Sequence, residues 1–279
     1  MNAPVSPSAI SLEPFAPAAG PLAGLDLLRL ERSGPIFHIR LNRPAKRNSI
    51  SDELLRQLHT VFINLPGDVR VIVMSGEGEH FSAGLDLSEV SERTVVEGIH
   101  HSRAWHACFD AIQFGPVPVI AVLHGAVVGG GLELAASAHL RVSEEGTFYA
   151  LPEGTRGIFV GGGGSVRIAR LAGAALMTDM MLTGRVLDAR EGLSASLATY
   201  LVAAGGGMAK ALELASRIAG NAPLSNYAIT QALPRIVEMG PSEGLFVESL
   251  MSSIAQGDEA AKERVRAFLQ KRAAKVERK

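Results

Sequence analysis

The chain has 279 residues, 47% of them hydrophobic and 20% charged, with a formal net charge of −1 from 27 basic and 28 acidic side chains. That is globular composition, long enough for one large domain or two modest ones, and its balance offers no basic surface for nucleic acid or anionic membrane. The single cysteine, Cys108, excludes an internal disulfide framework and a cysteine-rich metal site, and fits a reducing intracellular compartment.

Residues 1–24 hold Pro4, Pro7, Pro14, Pro17 and Pro21 and no Lys or Arg. They lack the basic start and apolar run of a secretory signal and the arginines of a transit peptide, so they are expected to form a flexible tail. Residues 25–31 and 35–41 pattern as two paired strands about a turn at Ser33 and Gly34. Ser51 reads as an N-cap, with Asp52 and Glu53 in the first turn of a helix to about residue 65. A buried strand is expected at 69–74, a glycine-bearing loop at 75–85, a helix at 94–114 and a second buried strand at 117–123. The apolar stretch 114–132 is broken by Pro116, Pro118, His124 and five glycines and is closed by Glu133. A membrane span needs about 20 clean apolar residues, so this is a strand, a loop and a helix start.

The loop 124–129 leads into a helix from near Gly130 to about His139, followed by strand-like pieces at 141–142 and 147–149. Strand, glycine loop and helix thus occur twice, at 69–90 and 117–139, which implies a repeating β/α unit. From Gly173 helical patterns dominate, at 174–182, 191–193, 207–219, 224–239, 241–256 and 258–272. The expected organisation is a tail over 1–24, an α/β core over 25–200 and a helical region over 201–279 that packs on its own core or forms a subunit interface.

Three stretches could carry chemistry. The first, Gly76-Glu77-Gly78-Glu79-His80-Phe81-Ser82-Ala83-Gly84-Leu85-Asp86-Leu87, has small residues that let a ligand approach backbone N–H groups; it reads equally as a structural turn. The second, His124-Gly125-Ala126-Val127-Val128-Gly129-Gly130-Gly131-Leu132-Glu133, places three glycines and a carboxylate at a helix N-terminus, where backbone donors suit a developing oxyanion. The glycines could equally serve close helix packing. The third is Tyr149-Ala150-Leu151-Pro152-Glu153-Gly154, in which Glu153 is either a site acid or the partner of Arg156.

No glycine cluster, including Gly161–Gly164, has P-loop or dinucleotide spacing. His100, His101 and His106 make no zinc motif, and no Gly-x-Ser-x-Gly elbow occurs. His124 reads as a turn residue and Trp105 as core.

Together these residues resemble the crotonase family, the enoyl-CoA hydratases and isomerases, over roughly residues 25–272. Leu41-Asn42-Arg43-Pro44-Ala45-Lys46-Arg47-Asn48 looks like the family's early Asn-Arg-Pro…Asn loop, and Phe81–Leu87 and Gly129–Glu133 like its two oxyanion-hole loops. Pro152-Glu153 looks like its second carboxylate, with the glutamates twenty residues apart as in family hydratases. The resemblance implies an α/β fold, a spiral of ββα repeats with a helical C-terminal region, assembled as a homotrimer or a dimer of trimers. It implies a cytoplasmic hydro-lyase acting on an acyl-CoA, with no cofactor or metal beyond the coenzyme A of the substrate, and no nucleic-acid or membrane partner.

Residue by residue, the amides of Leu85 and Gly130 would hold the thioester oxygen, and Glu133 and Glu153 would be catalytic. Lys46, Arg47, Ala83, Asp86, Phe268 and Lys271 would contact CoA or substrate, the last two from a neighbouring subunit. Two like carboxyls sharing a site push one pKa up, so Glu133 is expected to activate water and Glu153 to protonate C2, with Arg156 lowering the Glu153 pKa and opposing that role. His124 stands where many relatives have Asn, and residues 155–164 replace the usual Ile-Pro-Gly-x-Gly-Gly. Phe81–Leu87 together with the four-glycine run Gly161–Gly164 resembles a bacterial subgroup including (methylthio)acryloyl-CoA hydratase, in which hydration is followed by thioester hydrolysis. Alternatives of the same fold are an enoyl-CoA isomerase and an acyl-CoA hydrolase; one of a different class is a non-catalytic binding protein.

Overall fold

The computed structural model describes residues 13–18, 20–89 and 92–270. Of the expected tail, residues 1–12 and 19 lie outside the described residues, but Ala16 and Pro17 pair with the strand at 28–33 and Leu22 is buried in the core, so the later part is not a free tail. A short β1 (Ala16–Pro17) precedes the hairpin β2 (Leu28–Ser33) and β3 (Ile36–Leu41). Then come α1 (Asp52–Ile63), β4 (Val71–Gly76), α2 (Val95–Gln113), β5 (Val119–Leu123), β6 (Ala126–Val128) and α3 (Gly130–Ser137). The middle of the chain forms β7 (Leu140–Glu144), β8 (Phe148–Ala150), α4 (Gly164–Ala172), α5 (Ala174–Thr183), β9 (Val186–Asp188), α6 (Ala189–Ser194) and β10 (Tyr200–Val202). Helices α7 (Gly207–Ala219), α8 (Pro223–Gln231), α9 (Leu233–Ile236), α10 (Pro241–Gly257) and α11 (Glu259–Leu269) complete it.

One sheet runs β1-β2-β3-β4-β5-β7-β10, antiparallel through β3 and parallel from β3 onward. Its central strands are buried on both faces, which is why they read as unbroken apolar runs rather than alternating ones. Phe37, Ile39, Ile72, Met74, Ala121 and Leu123 face a core shared with α1, α2 and α3. Ile36, Val71, Val73, Ile120 and Val122 face the other way and are covered by Ala211, Leu214 and Ala215 of α7. The alternation follows from the two-residue period of a strand. A second sheet, β6-β8-β9, is small: β6 and β8 pair in parallel, β8 and β9 antiparallel.

The expected Ser51 cap forms, and α2 carries a further one. The Ser51 hydroxyl accepts from the Leu54 amide at 3.1 Å, and Thr94 with Glu97 makes a full capping box on α2. Several features depart from expectation. β6 lies inside the segment read as a loop at 124–129, because Ala126–Val128 pair with Phe148–Ala150, and β9 and β10 interrupt the region expected to be helical. The single helix at 224–239 is split into α8 and α9, because Pro234 has no N–H to donate and its ring displaces the preceding turn. Helix α4 was not expected; it begins inside the glycine run at Gly164. Glycine is a poor helix former, and the run hid the amphipathic segment behind it.

Candidate active site

The loops after β4 and β5 leave the same end of the parallel sheet, the end where open α/β sheets hold ligands. Phe81 and Ser82 run beside β6: the Ser82 amide donates to Ala126 O at 3.0 Å, and Val128 N donates to Ser82 O at 3.1 Å. Gly84 then turns with φ +89°, and a Cβ there would stand 2.5 Å from Val128 O. Only glycine fits. On either side of Leu85, Gly84 O accepts from Ile50 N at 2.7 Å and Asp86 N donates to Ile50 O at 2.9 Å. The Leu85 amide itself donates to nothing among the described residues.

The Asn-Arg-Pro…Asn stretch braces this loop. Asn48 Nδ2 donates to the carbonyls of Glu77 and His80 at 2.9 and 2.7 Å, and Ala83 N donates to Arg47 O at 2.9 Å. Arg43 pairs with Asp86 at 2.8 Å. Ser88 and then Arg43 hold the Asp86 carboxyl well below the usual carboxylate range. Asp86 therefore fastens the loop and is not among the residues that line the cavity. Lys46 and Arg47 are exposed and lie outside the cavity wall.

The second sheet brings the two glutamates together. β6 leads into α3 and Glu133; β8, its parallel neighbour, leads into Pro152 and Glu153. Gly129 ties the two strand ends, donating to Ala150 O at 2.9 Å. A Cβ on Gly129 would stand 2.8 Å from Glu153 Oε1, and one on Gly130 would stand 3.4 Å from the Leu85 amide nitrogen. So the Leu85 and Gly130 amides are neighbours, with Glu153 against the same turn. Both glutamates, Leu85, Gly130, Trp105 and Gly162 line one cavity of about 680 Å³, which Arg156, Ile158 and Phe159 also wall. Ala83 lines a small cleft sharing Leu85, Gly130 and Glu153 with it.

The carboxyls are buried, Glu133 3% and Glu153 5% exposed, but their partners differ. Glu133 Oε1 accepts from the Gly162 and Gly164 amides at 2.8 and 2.7 Å. Burial raises its pKa; the glycine amides and then Arg167 oppose that. Glu153 Oε2 has no hydrogen-bond partner among the described residues. Burial first, and the Glu133 charge after it, push Glu153 up to about 7. The expected effect of Arg156 has the right sign but is outweighed by burial, and no ion pair joins it to Glu153 among the described residues.

Other expectations resolve individually. His124 is a turn residue, its Nε2 3.1 Å from Gly78 O. Trp105 is core, edge-on to Phe109 at 5.5 Å, and also cavity wall, a dual role the sequence did not suggest. Phe268 is exposed on α11 and away from the cavity; Lys271 lies outside the described residues. The sequence alone gives the glycine run no direct part in the site. Its signal was the run itself: Cβ atoms at Gly162 and Gly164 would meet the Glu133 side chain at 3.3 and 2.8 Å.

A model of the enoyl-CoA hydratase/isomerase family matches residues 31–279. The 2,3-dehydroadipyl-CoA hydratase of Escherichia coli (strain K12) is 32% identical over 247 residues, covering 88% of this chain and 96% of that protein. The short-chain-enoyl-CoA hydratase of Clostridium acetobutylicum is 30% identical over 246 residues, covering 87% and 94%. A crystal structure of a Rhodopseudomonas palustris CGA009 protein, provisionally assigned as an enoyl-CoA hydratase, matches with TM-score 0.87 at 54% identity, covering 91% of this chain and 98% of that one. The chain belongs to the enoyl-CoA hydratase/isomerase family and has its crotonase fold. It is an enzyme of the enoyl-CoA hydratase type, a hydro-lyase.

Proposed function

We propose that the protein adds water across the α,β double bond of an enoyl-CoA thioester, with the Leu85 and Gly130 amides as the oxyanion hole and Glu133 and Glu153 moving the protons. One observation carries the reading: two buried carboxyls flank two adjacent backbone amides in a single cavity. In the reaction, the water oxygen bonds to C3 and gives one proton to Glu133. The π electrons move to the thioester oxygen, where the two amides hold the charge. Glu153 then protonates C2 and the thioester carbonyl reforms. Removing one donor from such a hole typically costs about 10²–10³ in rate.

The division of roles follows the surroundings. Amide donors on Glu133 Oε1 favour its ionised form, which suits a base. A buried oxygen without a partner and a pKa near 7 favour a protonated Glu153, which suits an acid. The two interact, so a pH–rate profile reports the pair.

For the acyl group we propose a (methylthio)acryloyl-type thioester among the substrates, supported by the likeness of Phe81–Leu87 and the four-glycine run to that subgroup. We further propose a cytoplasmic homotrimer or dimer of trimers. Exposed Leu245, Phe246, Val265 and Phe268 on α10 and α11 support the assembly, and Phe268 and Lys271 would then reach a neighbour's CoA, with Lys46, Arg47 and Ala83 on the CoA side of the chain's own site.

The test is a product assay with crotonyl-, longer 2-enoyl-, 3-enoyl- and (methylthio)acryloyl-CoA. Formation of 3-hydroxyacyl-CoA supports the hydratase. Conversion of 3-enoyl to 2-enoyl makes it an isomerase, free CoA without a hydroxyacyl intermediate a hydrolase, and no turnover of any substrate a binding protein.

A further inference from the structure

Four consecutive glycines, Gly161 to Gly164, form the most conformationally free backbone available to a chain. Yet two of their amides aim at one oxygen of Glu133 at 2.7–2.8 Å. Something outside the run must hold it. Arg167, one turn into α4, does so from a buried position, 7% exposed. Its Nη1 donates to Gly162 O at 3.0 Å and its Nε to Gln113 Oε1 at 2.6 Å, while Nη2 pairs with Asp110. Gly162 is thereby gripped at both ends: its N–H by Glu133, its C=O by Arg167. Ser102 adds a second anchor on Gly161 O at 2.6 Å. Gly163 bends with φ +96°, and a Cβ there would stand 2.3 Å from Arg167 Nη1, so the guanidinium occupies the space that a side chain would need.

We infer that Arg167 is a positioning residue for the proposed hydration: clamped by Asp110 and Gln113 of α2, it fixes the 161–164 backbone so that the Gly162 and Gly164 amides hold Glu133 in its reactive orientation. The planar fork suits the task, since three acceptors in different directions are met by one rigid group. A lysine carries the charge but not the fork. The inference rests on the reading of Glu133 as the reacting base.

Several charged and titratable groups face Glu133. Glu153 lies across the cavity, with Arg156, Arg93 and His101 on its walls. Behind the glycine run stand Arg167 and its partner Asp110, with His106 and Arg170 close to Arg167. Of these, Arg167 opposes the upward shift of the Glu133 pKa.

The experiment compares Arg167→Met, Arg167→Lys, Asp110→Asn and Glu133→Gln, measuring kcat and KM with crotonyl-CoA, the pH profile and the melting temperature. Misplacement of a reacting group by about 1 Å can cost roughly 10²-fold. Arg167→Met is expected to lower kcat about 10–100-fold with KM changed less than about 3-fold, and to move the acid limb of the profile to higher pH. Arg167→Lys should keep the limb near its place but recover little of the rate; Asp110→Asn should show a smaller loss of the same kind. A purely structural role would lower the melting temperature and leave kcat and the limb of the folded fraction unchanged, which overturns the inference. If Arg167→Met does not fold, Asp110→Asn decides on the same readouts. If Glu133→Gln retains full activity, the hydratase reading of the site fails, whatever Arg167 does.

Discussion

At residues 161–164 the backbone gives two N–H groups to the Glu133 side chain; at residues 152–156 it turns on itself, and the Glu153 carboxyl is opposed in its upward shift by its own backbone amide. Glu133 receives two amide donors from the first loop. The Glu153 carboxyl sits beside the second, where Arg156 N and Ile158 N donate to the Glu153 backbone carbonyl instead. Both side chains are buried to a similar degree, so burial alone does not separate them. Donors do: one carboxyl is solvated by protein, the other is desolvated and left neutral more readily.

The largest test of this contrast is to remove each carboxyl. Glu133→Gln and Glu153→Gln are each expected to cut kcat/KM for crotonyl-CoA by about 10³, within the roughly 10²–10⁴ range of general acid–base groups. A near-normal rate in both would break the comparison outright. Next comes the glycine run. Gly164→Ala puts a Cβ 2.9 Å from Glu133 Oε1, whereas one at Gly161 meets only Ser102 Oγ, at 3.8 Å. Steady-state kinetics should show a loss of about 10–100-fold for the former and a near-normal rate for the latter.

A third prediction concerns stability. The folded pKa of Glu153 is about 7, above its ordinary 4.5, so the native state binds more protons than the unfolded state between those values. Its contribution is fully present below pH 4.5 and is lost as pH rises through 7. Glu153→Gln removes that loss. Denaturant unfolding at pH 8 should show the variant more stable by on the order of 3 kcal/mol, and the gain should vanish near pH 4. The smallest effect is expected from Arg156→Met. Its cation is the weakest influence on Glu153, so the alkaline limb of the pH–rate profile should move upward only slightly.

Much of this was legible in the chain. Ser51, the strand at β4 and the strand at β5 are local signals: a side-chain cap and short apolar runs, each read from neighbours in sequence. The glutamates were legible as candidates because glycines and a proline around a carboxylate are unusual for an ordinary surface acid. Helix α4 was not, because its start is written in residues that disfavour helix. The pairing of Asp86 with Arg43 was not legible, because the two are 43 residues apart. The glycine run is legible as lacking a phosphate-binding pattern and as a departure from the usual family segment, but nothing local says that its amides meet Glu133, 29 and 31 residues earlier.

By itself the sequence marked most of the strands and helices of the core, the family resemblance and two candidate carboxyls, because caps, apolar runs and glycine loops act over a few residues. What the tertiary structure alone decided is the different surroundings of the two carboxyls. The parallel pairing of β6 and β8 sets Glu133 and Glu153 side by side, and the run held by Arg167 supplies amides to only one of them. Electrostatic character depends on distance in space and on the loss of water, and neither is a property of sequence neighbours.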